Sequence, residues 1–136
     1  WMPSQDPAAV AWQKKVGEFD GYIFVLAEYN RSITAALKNA LDQAYVEWAK
    51  KPFGAIGYGS MGAANALGHL QNIGVELQMV PTRNNVRIGG SDFFRVQPAF
   101  GGSGNLADIE AGILPAAKAM LDDVVWWANA TKAARG

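Results

Sequence analysis

Two short stretches of this chain combine polar side chains and glycines in a way that suits the binding of a flat, electron-rich ligand. In "LAEYNRS", residues 26–32, Glu28, Tyr29 and Asn30 follow directly on an apolar run. In "GYGSMGAA", residues 57–64, Gly57, Gly59 and Gly62 surround Ser60 and Met61 and lead into Ala63. An amide such as that of Asn30 can both donate and accept hydrogen bonds toward an imide-like edge. Glycines let the backbone come close to a ring, and the amides at the start of a helix present donors to it. The only histidine, His69, has no cysteine and no second histidine to join it, so it reads as a structural helix position and no metal site is expected.

The elements that must position these stretches alternate along the chain. "DPAAVAWQKKVGEF", residues 6–19, suits a short helix begun by Asp6 with Pro7 in its first turn. "GYIFVLA", residues 21–27, is a continuous apolar run, which predicts a strand buried on both faces. Ser32 is placed to cap a helix whose apolar positions Ile33, Leu37, Leu41, Ala44, Tyr45 and Trp48 recur at helical spacing up to Pro52. "FGAIGYG", residues 53–59, predicts a second buried strand; residues 60–74 a helix closed by Gly74; and "VELQMVP", residues 75–81, a third strand. Residues 82–105 read as an irregular surface excursion with short extended pieces at Val86–Ile88 and Phe93–Val96. A last helix is expected over 106–133, with Pro115 near its start or kinking it. Strand, helix, strand, helix, strand implies a parallel sheet with helices on both faces, and ligands then bind beyond the carboxyl ends of the strands. Both stretches lie at that edge.

Composition narrows the ligand. Twelve basic residues balance twelve acidic ones, so no bulk field draws the chain to nucleic acid or anionic lipid, and a small ligand fits better. With 136 residues, half of them apolar, the chain suits one domain with a substantial core. The absence of cysteine excludes disulfides and thiolate chemistry and suggests a reducing, cytoplasmic setting. No apolar stretch is long enough to span a bilayer, and "WMPSQDP" lacks the regions of a signal peptide.

"DGYIFVLAEYNRSITAALKNALD", followed by "KPFGAIGYGSMGAANALGHL", resembles the NADPH-dependent FMN reductase family, a flavodoxin-like group that includes quinone, chromate and azo-dye reductases. Glu28, Tyr29, Asn30, Leu37, Lys38, Asn39, Ala40, Leu41, Asp42, Lys51, Pro52, Gly59 and Gly62 match the family pattern in order and spacing. Ala27, Gly57 and Ala63 depart from the Pro, Ser and second Gly usual there. The resemblance implies a flavodoxin-like three-layer α/β fold in which Ala27, Glu28, Tyr29 and Asn30 meet one side of a flavin ring. Gly59, Ser60, Met61, Gly62 and Ala63 would line the other. It implies FMN as cofactor, NAD(P)H as co-substrate, a quinone or other small acceptor, and no catalytic acid or base of the protein's own. Backbone donors near the ring carbonyls would stabilise the reduced flavin, and the cofactor would do the chemistry.

The family begins with a strand, a phosphate loop, a helix and another strand, none of which this sequence shows. The expectation is therefore a flavodoxin-like domain lacking its amino-terminal βαβ portion, roughly 30 residues or more, that binds FMN weakly or not at all by itself. Two other readings stay open: a non-catalytic flavin-binding or electron-carrier module, and a cofactor-free interaction protein. A homodimer or tetramer is expected through the helix from 32 to 49, with Tyr45 and Trp48 either as interface anchors or completing the subunit's own core. Lys38 and Asp42 form either an exposed ion pair or part of that interface. "AFGGSGNL", residues 99–106, lacks the ending of a phosphate loop and reads as a flexible turn. Trp126 and Trp127 point to different helix faces, one to the core.

Overall fold

The computed structural model describes residues 3–136; Trp1 and Met2, the head of the amino-terminal stretch, lie outside the described residues. Helix α1, Pro7–Gly17, starts as its sequence predicts. The Asp6 carboxylate accepts from the amides of Ala8 at 2.7 Å and Ala9 at 3.2 Å, while Pro7 occupies a position whose amide would have no partner in the helix.

Strands β1, Tyr22–Ala27, and β2, Pro52–Tyr58, pair in parallel along their whole length, from Tyr22 opposite Phe53 to Ala27 opposite Tyr58. Two short strands, β3 (Val80–Pro81) and β4 (Val86–Ile88), lie end to end along the other side of β2, each parallel to it. Residues 82–85 loop out between them without orphaning β2. The Thr82 amide donates to the Phe53 carbonyl at 2.9 Å, and the Asn85 side-chain oxygen accepts from the Ala55 amide at 2.8 Å. The third strand thus lies later than its apolar run suggests, because helix α3, Ala64–Glu76, continues through Gly74. Gly74 is not a helix terminator: a Cβ there would lie 2.3 Å from the Phe53 ring, so glycine is what allows α3 to rest on β2.

Helix α2, Ala35–Asp42, is shorter than predicted, and its cap is Thr34 rather than Ser32, with the Thr34 hydroxyl accepting from the Leu37 amide at 3.2 Å. Residues 43–50 coil into turns that fold Trp48 inward. Its indole lies 4.8 Å from the Tyr22 ring and 5.9 Å from that of Phe24, and its Nε1 donates to the Leu41 carbonyl at 3.1 Å. At 1% exposure Trp48 completes the subunit's own core, and the interface reading of this side chain is corrected. Around it Val16, Leu26, Leu41, Phe53, Leu67 and Leu70 close one face of the sheet under α1, α2 and α3.

The opposite face belongs to helix α5, Glu110–Arg135, which packs on β2 and β4. Gly54 permits the close approach, since a Cβ there would meet Met120 Cγ at 2.5 Å. Helix α5 does not cover β1, so Ile23 and Val25 are exposed, and the predicted burial of β1 on both faces holds for one face only. Leu106–Asp108 is a separate 3-10 turn, Pro115 sits inside α5, and both Trp126 and Trp127 are exposed, edge to face at 5.0 Å, so neither enters the core. Residues 93–96, expected to be extended, belong instead to helix α4, Gly90–Val96, whose Phe93 and Val96 pack against the second core of Val86, Ile88, Ile109 and Met120. Among the described residues no helix is long and apolar enough to cross a membrane.

Candidate functional site

The carboxyl ends of β1, β2 and β4 point the same way, and an open groove of about 1730 Å³ lies beyond them. One wall is the turn after β1. Tyr29 and Ser32 exchange backbone hydrogen bonds at 3.0 and 2.9 Å, closing a two-residue turn around Asn30 and Arg31. Both central residues are left-handed, with φ of 48° and 66°, as a type I′ turn requires. Asparagine tolerates this conformation; arginine does so at a cost of the order of 1 kcal/mol. Ala27, Glu28, Tyr29, Asn30 and Ser32 all border the groove, and Tyr29 and Asn30 are exposed to it.

The second wall follows β2. The Gly62 amide donates to the Gly59 carbonyl at 2.9 Å, closing a tight turn, and Gly62 and the following Ala63 are left-handed. Gly59 and Ser60 line the groove beside Tyr58. Met61 is exposed outside the groove lining, while Gly62 and Ala63 are buried beneath the turn, Ala63 directly under Gly57, where a Cβ would come within 2.7 Å. The residues expected to face a ring from this side thus divide: Gly59 and Ser60 form the surface, and Gly62 and Ala63 set its shape.

Glu28 joins the two walls. Its carboxylate accepts from the amides of Asn65 and Ala66, each at 3.0 Å, and from the Asn65 side chain at 3.4 Å, capping the start of α3. Helix α3 has no cap from its own Ala63, so a residue from the other loop supplies the missing acceptor. The Ala66 amide bond, the largest effect, holds the Glu28 carboxyl below its ordinary value against burial, which raises it, and the Asn65 side chain and amide add to the lowering. Glu28 is therefore a positioning residue whose carboxylate is turned to the protein.

Several residues that support or line the groove carried no sequence signal of their own. Gly89 and Gly90 clamp the second loop from the far side, where the Gly59 amide donates to the Ile88 carbonyl at 3.1 Å and the Gly90 amide to the Ser60 carbonyl at 3.0 Å. A Cβ on Gly89 would lie 2.4 Å from the Gly62 nitrogen, so this contact of two backbones needs glycine. Arg87 Nε adds a bond to the Gly62 carbonyl at 3.1 Å. His69 also lines the groove, its Nδ1 2.9 Å from the Ser32 hydroxyl, tying α3 to the first turn. Phe93, Phe94 and Phe100 border the groove as well. The "AFGGSGNL" stretch begins inside a 3-10 turn, Pro98–Phe100, rather than after a strand, and is pinned by backbone bonds.

A flat heteroaromatic ring fits these walls: a turn carrying an amide side chain on one side, a glycine-shaped backbone on the other, and room between them. That donor set suits the isoalloxazine of FMN.

Comparison with known proteins agrees. The sequence profile of the NADPH-dependent FMN reductases matches residues 2–92. An NAD(P)H-dependent FMN reductase of Schizosaccharomyces pombe is 36% identical over 74 residues, 53% of this chain and 37% of that protein. An NADPH:quinone oxidoreductase of Arabidopsis thaliana is 40% identical over 77 residues, 54% of this chain and 39% of that one. This chain thus spans well under two thirds of the length of either relative. Among solved structures, the flavoenzyme FerB, an NAD(P)H:(acceptor) oxidoreductase from Paracoccus denitrificans, superposes with a TM-score of 0.62 over 95% of this chain and 70% of its own, at 21% identity. That likeness establishes the flavodoxin-like α/β fold.

Proposed function

The chain belongs to the NADPH-dependent FMN reductase family, and from that membership we propose that its groove holds a flavin ring in a reductase that draws on NAD(P)H and reduces a quinone or other small acceptor. The observation that carries this reading is the Glu28 carboxylate on the first amides of α3, which fixes two loops from different strands at a set separation. A cleft of constant width is what a rigid planar ligand needs. Hydride acceptance from NAD(P)H and delivery of electrons to the acceptor are the chemistry that FMN supplies when bound.

The chain's own residues bind and orient. The backbone of 27–30 and the Asn30 amide meet the ring edge, Gly59 and Ser60 pack along its other side, and Gly62 and Ala63 keep that backbone low. No side chain of the groove acts as catalytic acid or base in this reading. The naming of the S. pombe and A. thaliana relatives as FMN and quinone reductases supports the choice of cofactor and acceptor.

The same proposal includes a cytoplasmic setting, supported by the absence of cysteine, and a homodimer or tetramer in which a second subunit completes the groove. Trp48 no longer supports that assembly; the exposure of Tyr29 at the groove does. In the full-length protein, Asn30→Leu should weaken FMN retention with the fold intact, and Gly62→Val should do more harm. Flavin content by absorption, NADPH oxidation with a quinone and mass by light scattering test all three parts. Wild-type flavin content and turnover in both variants would overturn the placement of the ring, and a flavin-loaded monomer at micromolar concentration would overturn the assembly.

A further inference from the structure

The groove has a third wall, to which the flavin reading above assigns no contact with the ring. Phe93, Phe94 and Phe100 form a triangle, with ring centroids 5.3 Å apart for Phe93 and Phe94, 6.0 Å for Phe93 and Phe100, and 5.4 Å for Phe94 and Phe100. Phe93 is anchored in the second core, whereas Phe94 and Phe100 remain 44% and 65% exposed. Exposed rings on a floppy loop would mean little. Here the backbone is fixed: the Gly102 amide donates to the Gln97 carbonyl at 2.9 Å, Ser103 to Arg95 at 2.9 Å and Gly104 to Val96 at 3.0 Å. Gly102 packs so tightly that a Cβ would lie 2.5 Å from the Gln97 nitrogen.

A rigid loop that presents two aromatic faces to an open groove has already met the ordering cost of binding and left apolar area in water. Such an arrangement favours a planar apolar partner, which offset or edge-to-face stacking can hold without hydrogen bonds. The wall borders the same groove as Tyr29 and Gly59, so a molecule resting on it lies beside the ring site. We infer that Phe94 and Phe100 form the acceptor-binding wall and select aromatic acceptors, of the size of a two-ring quinone, over small hydrophilic oxidants. This rests on the flavin reading above. The reaction balances as NADPH and a solvent proton converting a quinone to its hydroquinone, with NADP⁺ as the oxidised product.

The test compares kcat/KM for 1,4-naphthoquinone with kcat/KM for ferricyanide in the full-length, FMN-loaded protein. The double variant Phe94→Ser, Phe100→Ser should lower that ratio by about tenfold, the scale of losing one to two aromatic contacts. Phe94→Trp should keep it. A misfolded fraction lowers both numbers alike and cancels in the ratio. An unchanged ratio overturns the inference, and an unchanged ratio with a fall in dimer mass reassigns the rings to contact with a second copy. A wild-type protein that retains no FMN or oxidises no NADPH overturns the flavin reading itself, a result separate from any change in acceptor preference.

Discussion

The two ends of the sheet are built on opposite plans. At the amino end, charged groups tie the chain to itself. Lys51, buried at 7% exposure, reaches the Gly17 carbonyl at 3.4 Å and the Tyr22 hydroxyl at 3.2 Å. Asp20 receives Lys132 at 2.7 Å and Arg135 at 2.6 Å, and Arg135 also holds the Lys50 carbonyl at 2.7 Å, strapping the end of α5 across the strand starts. Burial pushes the Tyr22 hydroxyl up and the Lys51 ammonium down, the signature of groups withdrawn from water. At the carboxyl end the backbone bonds of the two loops, with Glu28, Arg87 and His69, hold the walls, and the side chains of Tyr29, Asn30, Phe94 and Phe100 stay exposed around the groove. One end uses its charges for cohesion; the other holds its walls with a few polar contacts and leaves aromatic and amide side chains exposed for a ligand.

If that division is right, substitutions near the amino end should cost stability and those at the carboxyl end should cost binding. The largest effect should come from Trp48→Ala, which empties the aromatic cluster beside Tyr22 and Phe24; a loss of about 3–5 kcal/mol in urea unfolding is expected. Gly89→Val should follow at about 1–3 kcal/mol, because its new Cβ strikes the Gly62 backbone rather than a yielding side chain. Its loss of FMN affinity should be the more conspicuous result, and retained affinity would blur the distinction between the ends.

Glu28→Gln should cost about 1 kcal/mol as a lost helix cap and widen the cleft, read as faster FMN release. The wild-type contribution has a defined pH dependence. The folded carboxyl titrates below its ordinary value of 4.5, so the stabilisation is complete above that value and disappears as pH falls through the lower folded one. Acid titration of the unfolding midpoint in wild type and Glu28→Gln should converge in that window. The smallest effect belongs to Lys38→Ala. Its pair with Asp42, 2.7 Å apart and half exposed on both sides, is worth about 0.3–0.5 kcal/mol. A larger loss that grows on dilution would instead mark the α2 face as a subunit interface.

The sequence was legible where local chemistry and packing agree. Asp6 and Pro7 announce α1, and the apolar runs of β1 and β2 lie within a residue of their predicted places. The run at 75–81 misled because Val75 and Leu77 suit a strand as well as a helix end, and only the fit of Gly74 against Phe53 shows that α3 continues. Ser32 lost the cap to Thr34 because the turn around Asn30 and Arg31 claims its backbone. At the candidate site the joint spacing of Glu28–Asn30 with Gly59 and Gly62 marked both loops, yet it could not say that Glu28 points into the protein. Gly89, Phe94 and Phe100 were invisible for a different reason: the pairing of β4 with β2, a contact between segments some 30 residues apart that no local pattern encodes, brings Gly89 under the second loop and Phe94 and Phe100 to the groove.

The interruption at Thr82–Asn85 also bears on how the molecule behaves in a crowd. An outer strand normally offers a ladder of amides and carbonyls on which another chain can polymerise. Here that ladder is broken into pieces of two and three residues, with Arg83 exposed at the gap and Asn85 turned inward to β2. Concentrated solutions should therefore resist amyloid-like stacking along this edge, and deleting 83–85 to join the two pieces would remove that safeguard.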